Sequence, residues 1–159
     1  MLSDIKTILY STDLKGDGRE KAFKMAIGLA KSTGAHMIIV HAMEPSAKML
    51  PILETVLSDE MLDKFKSQGT NTFKEKLELR LKEYCKTECA DDSYPGGEPT
   101  IVVEEGKAQR LILELAEKYT ADMIIMGTRT HSSLGDGLLG STATKVIHRS
   151  KIPVLIYPL

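Results

Sequence analysis

The sequence predicts a three-layer α/β/α protein, in which helices cover both faces of a five-stranded parallel sheet. Two observations predict this fold class. Five short apolar runs alternate along the chain with stretches whose apolar residues recur at helical spacing. These runs are nearly continuous rather than alternating in polarity, which is typical of strands buried on both faces of a parallel sheet. Right-handed crossovers then leave few possible topologies.

The five apolar runs are the predicted strands. They lie at Ile5–Thr12, Met37–Ala42, Thr100–Glu104, Met123–Met126 and Pro153–Tyr157. In a doubly wound sheet, ligands bind outside the carboxyl ends of the strands, at the point where the strand order reverses. The residues that follow each run are therefore the first place to look for a binding site.

Of four predicted helical regions, the first and third have the clearest one-sided patterns. The shared face of the first consists of Ala22, Ala26, Leu29, Ala30 and Thr33. The stripe of the third consists of Ala108, Leu111, Ile112, Leu115, Ala116 and Tyr119. Asp17 and Glu20 form a capping pair before the first helix, and Gly34 follows its end.

The second and fourth helical regions are less regular or shorter. Apolar residues over about Glu54–Cys85 fit helical spacing, with a break expected near Gly69. A short last helix covers about Ser141–Ser150, and we expect it to turn Val146 and Ile147 inward.

The composition predicts one globular domain over residues 1–159. The chain is 42% hydrophobic, and its 21 Lys and Arg against 22 Asp and Glu give a net charge of −1. With no basic stretch, it is not a generic nucleic-acid or anionic-membrane binder. No apolar run approaches the roughly 20 residues of a membrane span, and the N-terminus does not read as a signal peptide. We therefore expect a cytoplasmic protein.

Two predicted strands end in residues suited to holding an anionic ligand. The first ends in Ser11, Thr12 and Asp13, and the fourth in Gly127, which opens a polar, glycine-bearing loop leading directly to Ser141. Glycines let backbone amides approach an anion, and a helix N-terminus adds unpaired N–H groups. The same residues also fit a surface loop in which Ser141 is an ordinary N-cap.

Other nucleotide motifs are absent from the sequence. No G-x-x-x-x-G-K-[ST] occurs, so this is not a P-loop protein. No G-x-G-x-x-G follows the first strand, which disfavours a dinucleotide site.

At these residues the chain resembles the universal stress protein family. The resemblance extends from Lys6–Asp13 to Pro153–Tyr157, nearly the whole chain. Its most specific part is the family's ATP loop, which reads Gly, two residues, Gly, nine residues and then Gly-Ser or Gly-Thr. The matching positions are Gly127, Thr130, Gly140 and Ser141.

The resemblance implies an adenine nucleotide α-hydrolase-like fold with strand order 3-2-1-4-5 and four helices. It places adenine on Asp13 and the backbone near Val40, and ribose near Gly127. It places the triphosphate on the loop and on Ser141–Ala143. The implied ATP-binding residues are Ser11, Thr12, Asp13, Val40, Met126, Gly127, Arg129, Thr130, Gly140, Ser141, Thr142 and Ala143.

The resemblance also implies ATP with Mg²⁺ as the ligand, no resident metal site, and a homodimer. The dimer would form through the C-terminal edge strand, Val154–Tyr157. An apolar edge strand leaves unpaired backbone groups that proteins usually cover. Arg129 offers a cation to phosphates, or is a solvated loop side chain.

Thr130 departs from the family's loop pattern, since it occupies the middle glycine position. Threonine keeps the backbone N–H but disfavours positive φ. Because the family has ATP-binding and non-binding members, two hypotheses stay open: an ATP-binding stress-response module, and a nucleotide-free dimeric interaction protein. An enzyme is a third. No acid–base or nucleophile–base pair is visible, so no catalytic residue is assigned and hydrolysis is expected to be absent or slow.

Other reactive side chains receive structural interpretations. His41 ends the second strand and is expected to be packed or hydrogen-bonded, and His131 in the loop is expected to face solvent. Cys85 and Cys89 share one helix face if the helix persists that far. We expect ordinary thiols there, because zinc would need two further ligands.

Overall fold

The computed structural model describes residues 4–14, 19–43, 58–64, 70–89, 94, 96–128 and 139–159. Five parallel strands form one sheet within these ranges. They are β1 Thr7–Ser11, β2 His36–Met43, β3 Thr100–Glu105, β4 Met123–Thr128 and β5 Val154–Pro158. Their order is β3-β2-β1-β4-β5, so both the parallel sheet and the predicted strand order are confirmed.

The described ranges contain five helices. They are α1 Arg19–Thr33, α2 Asp59–Lys64, α3 Thr70–Glu88, α4 Ala108–Lys118 and α5 Ser141–Arg149. Two of these helices, α2 and α3, fall in the predicted region Glu54–Cys85, which is why the described ranges hold five helices where four helical regions were predicted. The break expected near Gly69 lies outside the described residues, as does Asp17 of the predicted capping pair.

The core consists of two clusters, one on each face of the sheet. On the α1/α3 face, side chains of α1 and α3 pack against alternate strand residues such as Ile8, Tyr10 and Ile39. On the α4/α5 face, side chains of α4 and α5 pack against the intervening residues, such as Leu9 and Val40. The central strands are therefore buried on both sides, as their nearly continuous apolar runs require.

The face of α4 follows the predicted periodicity, whereas α5 departs from it at one residue. In α4 the buried residues Leu111, Ile112, Leu115 and Ala116 all belong to the predicted stripe. In α5 Val146 is fully buried, but Ile147 is 40% exposed, so its predicted inward orientation was wrong. The inward positions of α5 are Ala143 and Val146, three apart. Ile147 is about 100° around the helix from Val146 and about 40° from Ala143, so it lies at the edge of the inward face.

The end of α1 confirms its predicted stop signal. Gly34 has φ of 73°, a left-handed conformation that glycine adopts without steric cost. Thr33 also donates its hydroxyl to the Leu29 carbonyl at 2.9 Å. None of the helices in the described part of the chain is long and apolar enough to cross a bilayer.

Candidate functional site

Three strands place predicted site residues at one level of the sheet. Ser11, the last residue of β1, lies between Val40 of β2 and Met126 of β4 in the strand register. The strand order reverses here, because β2 lies on one side of β1 and β4 on the other. The carboxyl ends of these strands therefore meet where doubly wound sheets bind their ligands.

Thr12 is hydrogen-bonded through three of its atoms. Its N–H donates to the Val40 carbonyl at 2.9 Å, and its hydroxyl oxygen accepts the Leu14 N–H at 3.2 Å. Its carbonyl oxygen lies 2.8 Å from Nδ1 of His41. Because a carbonyl can only accept, Nδ1 of His41 is the donor in this contact. His41 is therefore the hydrogen-bonded histidine that the sequence predicts.

The turn after β1 presents Asp13, whose side chain is exposed. Leu14 follows with φ of 57°, a left-handed conformation that few residues other than glycine adopt. Arg19 of α1 donates from Nη1 to the Leu14 carbonyl at 2.9 Å, which stabilises this conformation. The position of Asp13 is thus set by Thr12 before it and by the Leu14–Arg19 contact after it.

One hydrogen bond ties the end of β4 to the start of α5. Oγ1 of Thr128, a residue only 4% exposed, accepts the Gly140 N–H at 2.9 Å. The two residues stand on either side of segment 129–138, which lies outside the described residues and contains Arg129 and Thr130. The Thr128–Gly140 bond therefore fixes where the loop begins and ends.

The N-terminus of α5 differs from the prediction in its cap. Gly140, with φ of −55° and ψ of 151°, is the N-cap, and Ser141 is the first helical residue. The predicted N-cap role of Ser141 was therefore wrong. Glycine has no side chain to accept first-turn N–H groups, and no side-chain cap bond forms among the described residues. The amides of Ser141–Ala143 are the donors that this helix offers to an anion.

Two glycines of the loop pattern, Gly127 and Gly140, lie within the described residues, and the structure requires glycine only at the first. A Cβ on Gly127 would lie 2.6 Å from Cδ1 and 2.9 Å from Cγ of Leu159, so packing favours glycine there. The Leu159 N–H is itself bonded to the Thr128 carbonyl at 3.0 Å. Gly140 has φ of −55°, which any residue can adopt. Its backbone conformation does not require glycine, and a requirement there would come from a ligand or the loop.

Thr128 is not among the site residues predicted from the sequence. The signal that could have found it is its position: it follows Ile124 and Met126 at the strand period of two, in an otherwise apolar run. A polar side chain in such a place is buried and needs a hydrogen-bond partner.

The chain matches known proteins over nearly its whole length. A model described as the universal stress protein family matches residues 4–158. The chain belongs to that family. A universal stress protein of Thermus aquaticus, from the 3′ region of the QAH/OAS sulfhydrylase gene, is 30% identical over 152 residues. That alignment covers 95% of this chain and 97% of the relative.

Two solved structures extend the comparison. Universal stress protein MJ0577 of Methanocaldococcus jannaschii is 30% identical over 155 residues, covering 95% of this chain and 93% of that one. Its structure matches with a TM-score of 0.68 at 27% identity, over 98% of this chain and 96% of the other. A universal stress protein solved in complex with cAMP matches with a TM-score of 0.53 at 25% identity, over 97% of each chain.

In this universal stress protein, the predicted site residues that the structure describes form two groups. At the ends of β1, β2 and β4 lie Ser11, Thr12, Asp13, Val40, Met126 and Gly127. At the start of α5 lie Gly140, Ser141, Thr142 and Ala143. Thr128 links the groups, since it ends β4 and holds Gly140. Val40, Met126 and Ala143 are buried.

Proposed function

We propose that this universal stress protein binds an adenine nucleotide, ATP with Mg²⁺ foremost, between the ends of β1 and β4. The observation that carries the proposal is the N-terminus of α5, which lacks a side-chain cap among the described residues. Thr128 fixes that terminus against the end of β4. Unpaired N–H groups and the positive helix end together favour a phosphate group.

The residue roles follow the two groups of the site. Asp13 and the backbone at Val40 and Met126 receive adenine, with Ser11 and Thr12 shaping that end. The Val40 carbonyl already accepts the Thr12 N–H, but a carbonyl has two lone pairs and can accept a second donor. Gly127 lies beside the ribose. Phosphates bind at Gly140, Ser141, Thr142 and Ala143 and at the loop residues Arg129 and Thr130.

The ion fits this site as a partner of the phosphates. Mg²⁺ typically binds one or two carboxylates together with substrate phosphates and waters. Asp13 supplies an exposed carboxylate at this edge of the sheet. The solved relative bound to cAMP supports an adenine nucleotide as the ligand class, because cAMP shares the adenosine moiety with ATP.

Calorimetric titration with ATP and Mg²⁺ tests the proposal. We expect saturable binding by the parent protein and at least a tenfold loss in Gly140→Val, whose side chain would occupy the space of the phosphates. The variant should keep its fold by circular dichroism, because φ at Gly140 suits any residue. Gly28→Val is the matched control: Gly28 has open space around it in α1, and its variant should bind like the parent. Equal ATP affinity in Gly140→Val and the parent would contradict the site.

A nucleotide-free interaction protein is the second candidate, and the observation that favours it is Thr130 at the middle glycine position. We expect φ at Thr130 to be negative, so that Thr130→Gly changes ATP affinity little or weakens it. A threonine held at positive φ would be strained by about 1–2 kcal/mol. Thr130→Gly would then tighten ATP roughly tenfold. That gain would favour the second candidate, a chain that has drifted towards the non-binding members of the family.

We further propose a homodimer through β5. Its outer edge pairs with no strand among the described residues, and Val154–Tyr157 are only half-buried. Apolar edges of this kind are usually covered. Sedimentation at micromolar concentration should show a dimer, and a monomer there would count against the proposal.

A further inference from the structure

A small cavity lies on the α1/α3 face, on the other side of the sheet from α5. Its volume is about 30 Å³, and a single water needs about 10–15 Å³ of such space, so two or three water-sized groups fit inside. Its walls come from β1, β2, α1 and α3 and from the turn after β1. The lining residues are Tyr10, Thr12, Leu14, Arg19, Phe23, Ile39, Arg80, Leu81 and Tyr84.

The inner wall of the cavity is apolar and aromatic. The Phe23 ring lies between two tyrosines, with its centroid 5.7 Å from that of Tyr10 and 5.0 Å from that of Tyr84. Ile39 and Leu81 add fully buried aliphatic surface. Three of the eight aromatic residues of this chain therefore gather at one small space.

One polar group at the cavity lacks a partner. The Tyr84 hydroxyl is buried and makes no hydrogen bond to any described residue. Burial raises the pKa of Tyr84 to about 12, with Glu88 nearby acting in the same direction, so the hydroxyl stays protonated and can donate. A buried hydroxyl without a partner costs free energy, and a bound molecule that accepts its hydrogen bond would remove that cost.

Two guanidinium groups line the same space. Cζ of Arg19 lies 5.5 Å from the Tyr84 ring centroid, and Arg19 donates from Nη1 to the Leu14 carbonyl. A guanidinium has five N–H donors, so that bond leaves others for a ligand. Arg80 is exposed and forms the outer part of the lining. Guanidinium groups bind carboxylates through paired, charge-assisted hydrogen bonds.

We propose that this cavity binds a small aliphatic carboxylate, with its short apolar end toward Phe23, Ile39 and Leu81. The carboxylate would lie toward Arg19, Arg80 and the Tyr84 hydroxyl. The lining favours such a carboxylate over inorganic phosphate. Phosphate would pair with the arginines, but its other oxygens would lie against the apolar wall. The site shares Thr12 and the turn after β1 with the proposed nucleotide site, but it involves neither α5 nor the loop before it.

Sodium propionate is the probe, titrated into the full chain and followed by methyl NMR. We expect saturable shifts at the Ile39 and Leu81 methyls, which line the cavity, and none at Ile112 or Leu115 on the other face. Sodium chloride at equal ionic strength, propionamide and sodium phosphate are the comparison solutes. They should not reproduce the shifts, because they lack the carboxylate or the apolar end.

Variants identify the groups that bind. Arg80→Gln and Tyr84→Phe should each weaken propionate at least tenfold. Arg110→Gln is the matched control, since Arg110 is an exposed arginine on α4 near Glu114, and it should bind like the parent. Unchanged affinity in Arg80→Gln and Tyr84→Phe, equal shifts with propionamide, or tighter binding of phosphate would overturn the proposal. Absence of saturation would assign the cavity to water alone.

Discussion

The two faces of the sheet are built from different chemistry. The hydrophobic cluster of the α4/α5 face consists of aliphatic residues and methionine, such as Leu111, Ile112 and Met126. The α1/α3 face buries aromatic rings and two thiols, Cys85 and Cys89, beside its aliphatic residues. An aliphatic face is completed by packing alone, whereas tyrosine hydroxyls and thiols also need partners. The difference explains why a cavity with a partnerless hydroxyl lies on one face only among the described residues.

The largest expected effect is the loss of the central ring on the α1/α3 face. Phe23→Ala should lower the free energy of unfolding by about 3–5 kcal/mol, because it removes a buried ring and both of its aromatic contacts. Ile112→Ala on the other face should cost about 2–5 kcal/mol. Denaturant titration measures both. Only Phe23→Ala should also abolish the propionate shifts, and retention of those shifts would show that the ring does not shape the cavity.

This contrast also explains how much of the fold could be predicted. The stripe of α4 follows helical spacing closely, so its buried residues were predicted correctly. In α1 the predicted face contains Ala22, Ala26 and Ala30, which are buried, but it omits Phe23, the largest buried side chain of the helix. The alanines define the helical spacing of the predicted face of α1. The Phe23 ring, next to that face, is buried because Tyr84 of α3 packs beside it. A contact between distant segments leaves no period in the sequence.

The site residues at the strand ends could be predicted from the sequence. The residues that a tertiary hydrogen bond brings together were harder to predict. Ser11, Val40 and Met126 follow from strand order, since parallel strands bring their carboxyl ends to one edge. Thr128 acts through Gly140 across the loop, and no local pattern joins the two. The cap of α5 was misassigned for the same reason: serine is the better intrinsic N-cap, but the helix begins one residue earlier.

The second prediction breaks the polar bond at the edge of the α4/α5 face. Thr128→Val keeps the shape of the side chain but leaves the Gly140 N–H without its acceptor, which should cost about 1–2 kcal/mol of unfolding free energy. ATP affinity should fall several-fold, because the start of α5 is no longer fixed. Thr128→Ser retains the hydroxyl, so its free energy of unfolding and its ATP affinity should both be close to those of the parent, as measured by denaturant titration and calorimetry. If Thr128→Ser were as unstable and bound ATP as weakly as Thr128→Val, the methyl group of Thr128 rather than its hydrogen bond would be responsible.

The third prediction concerns alkaline pH, which should act on the α1/α3 face. Burial raises the pKa of the Cys85 thiol to about 11, with Cys89 nearby acting in the same direction. The folded state then holds the proton more tightly than the unfolded state does. The contribution of the protonated Cys85 thiol to the free energy of unfolding is therefore complete below about pH 9 and is lost as the pH rises toward 11.

The loss from Cys85 should be on the order of 1 kcal/mol after allowance for solvent screening. Cys85→Ala should flatten the decline between these pH values, whereas Leu115→Met, a volume-conserving change on the other face, should keep it. Denaturant titrations at several pH values decide the matter. An identical slope in Cys85→Ala and the parent would assign the decline to other groups.

The smallest expected effect separates two neighbouring residues of α5. Ile147 is 40% exposed and Val146 is fully buried, although the sequence suggests the same inward role for both. Ile147→Gln should change the free energy of unfolding by no more than about 0.5 kcal/mol, because an exposed side chain loses little packing. Val146→Ala should cost about 1–2 kcal/mol, since it removes two methyl groups from the core. A costly Ile147→Gln in denaturant titration would mean that Ile147 is covered in solution. Sedimentation of the same variant would then show whether a second copy covers it, because loss of the dimer and loss of stability would occur together.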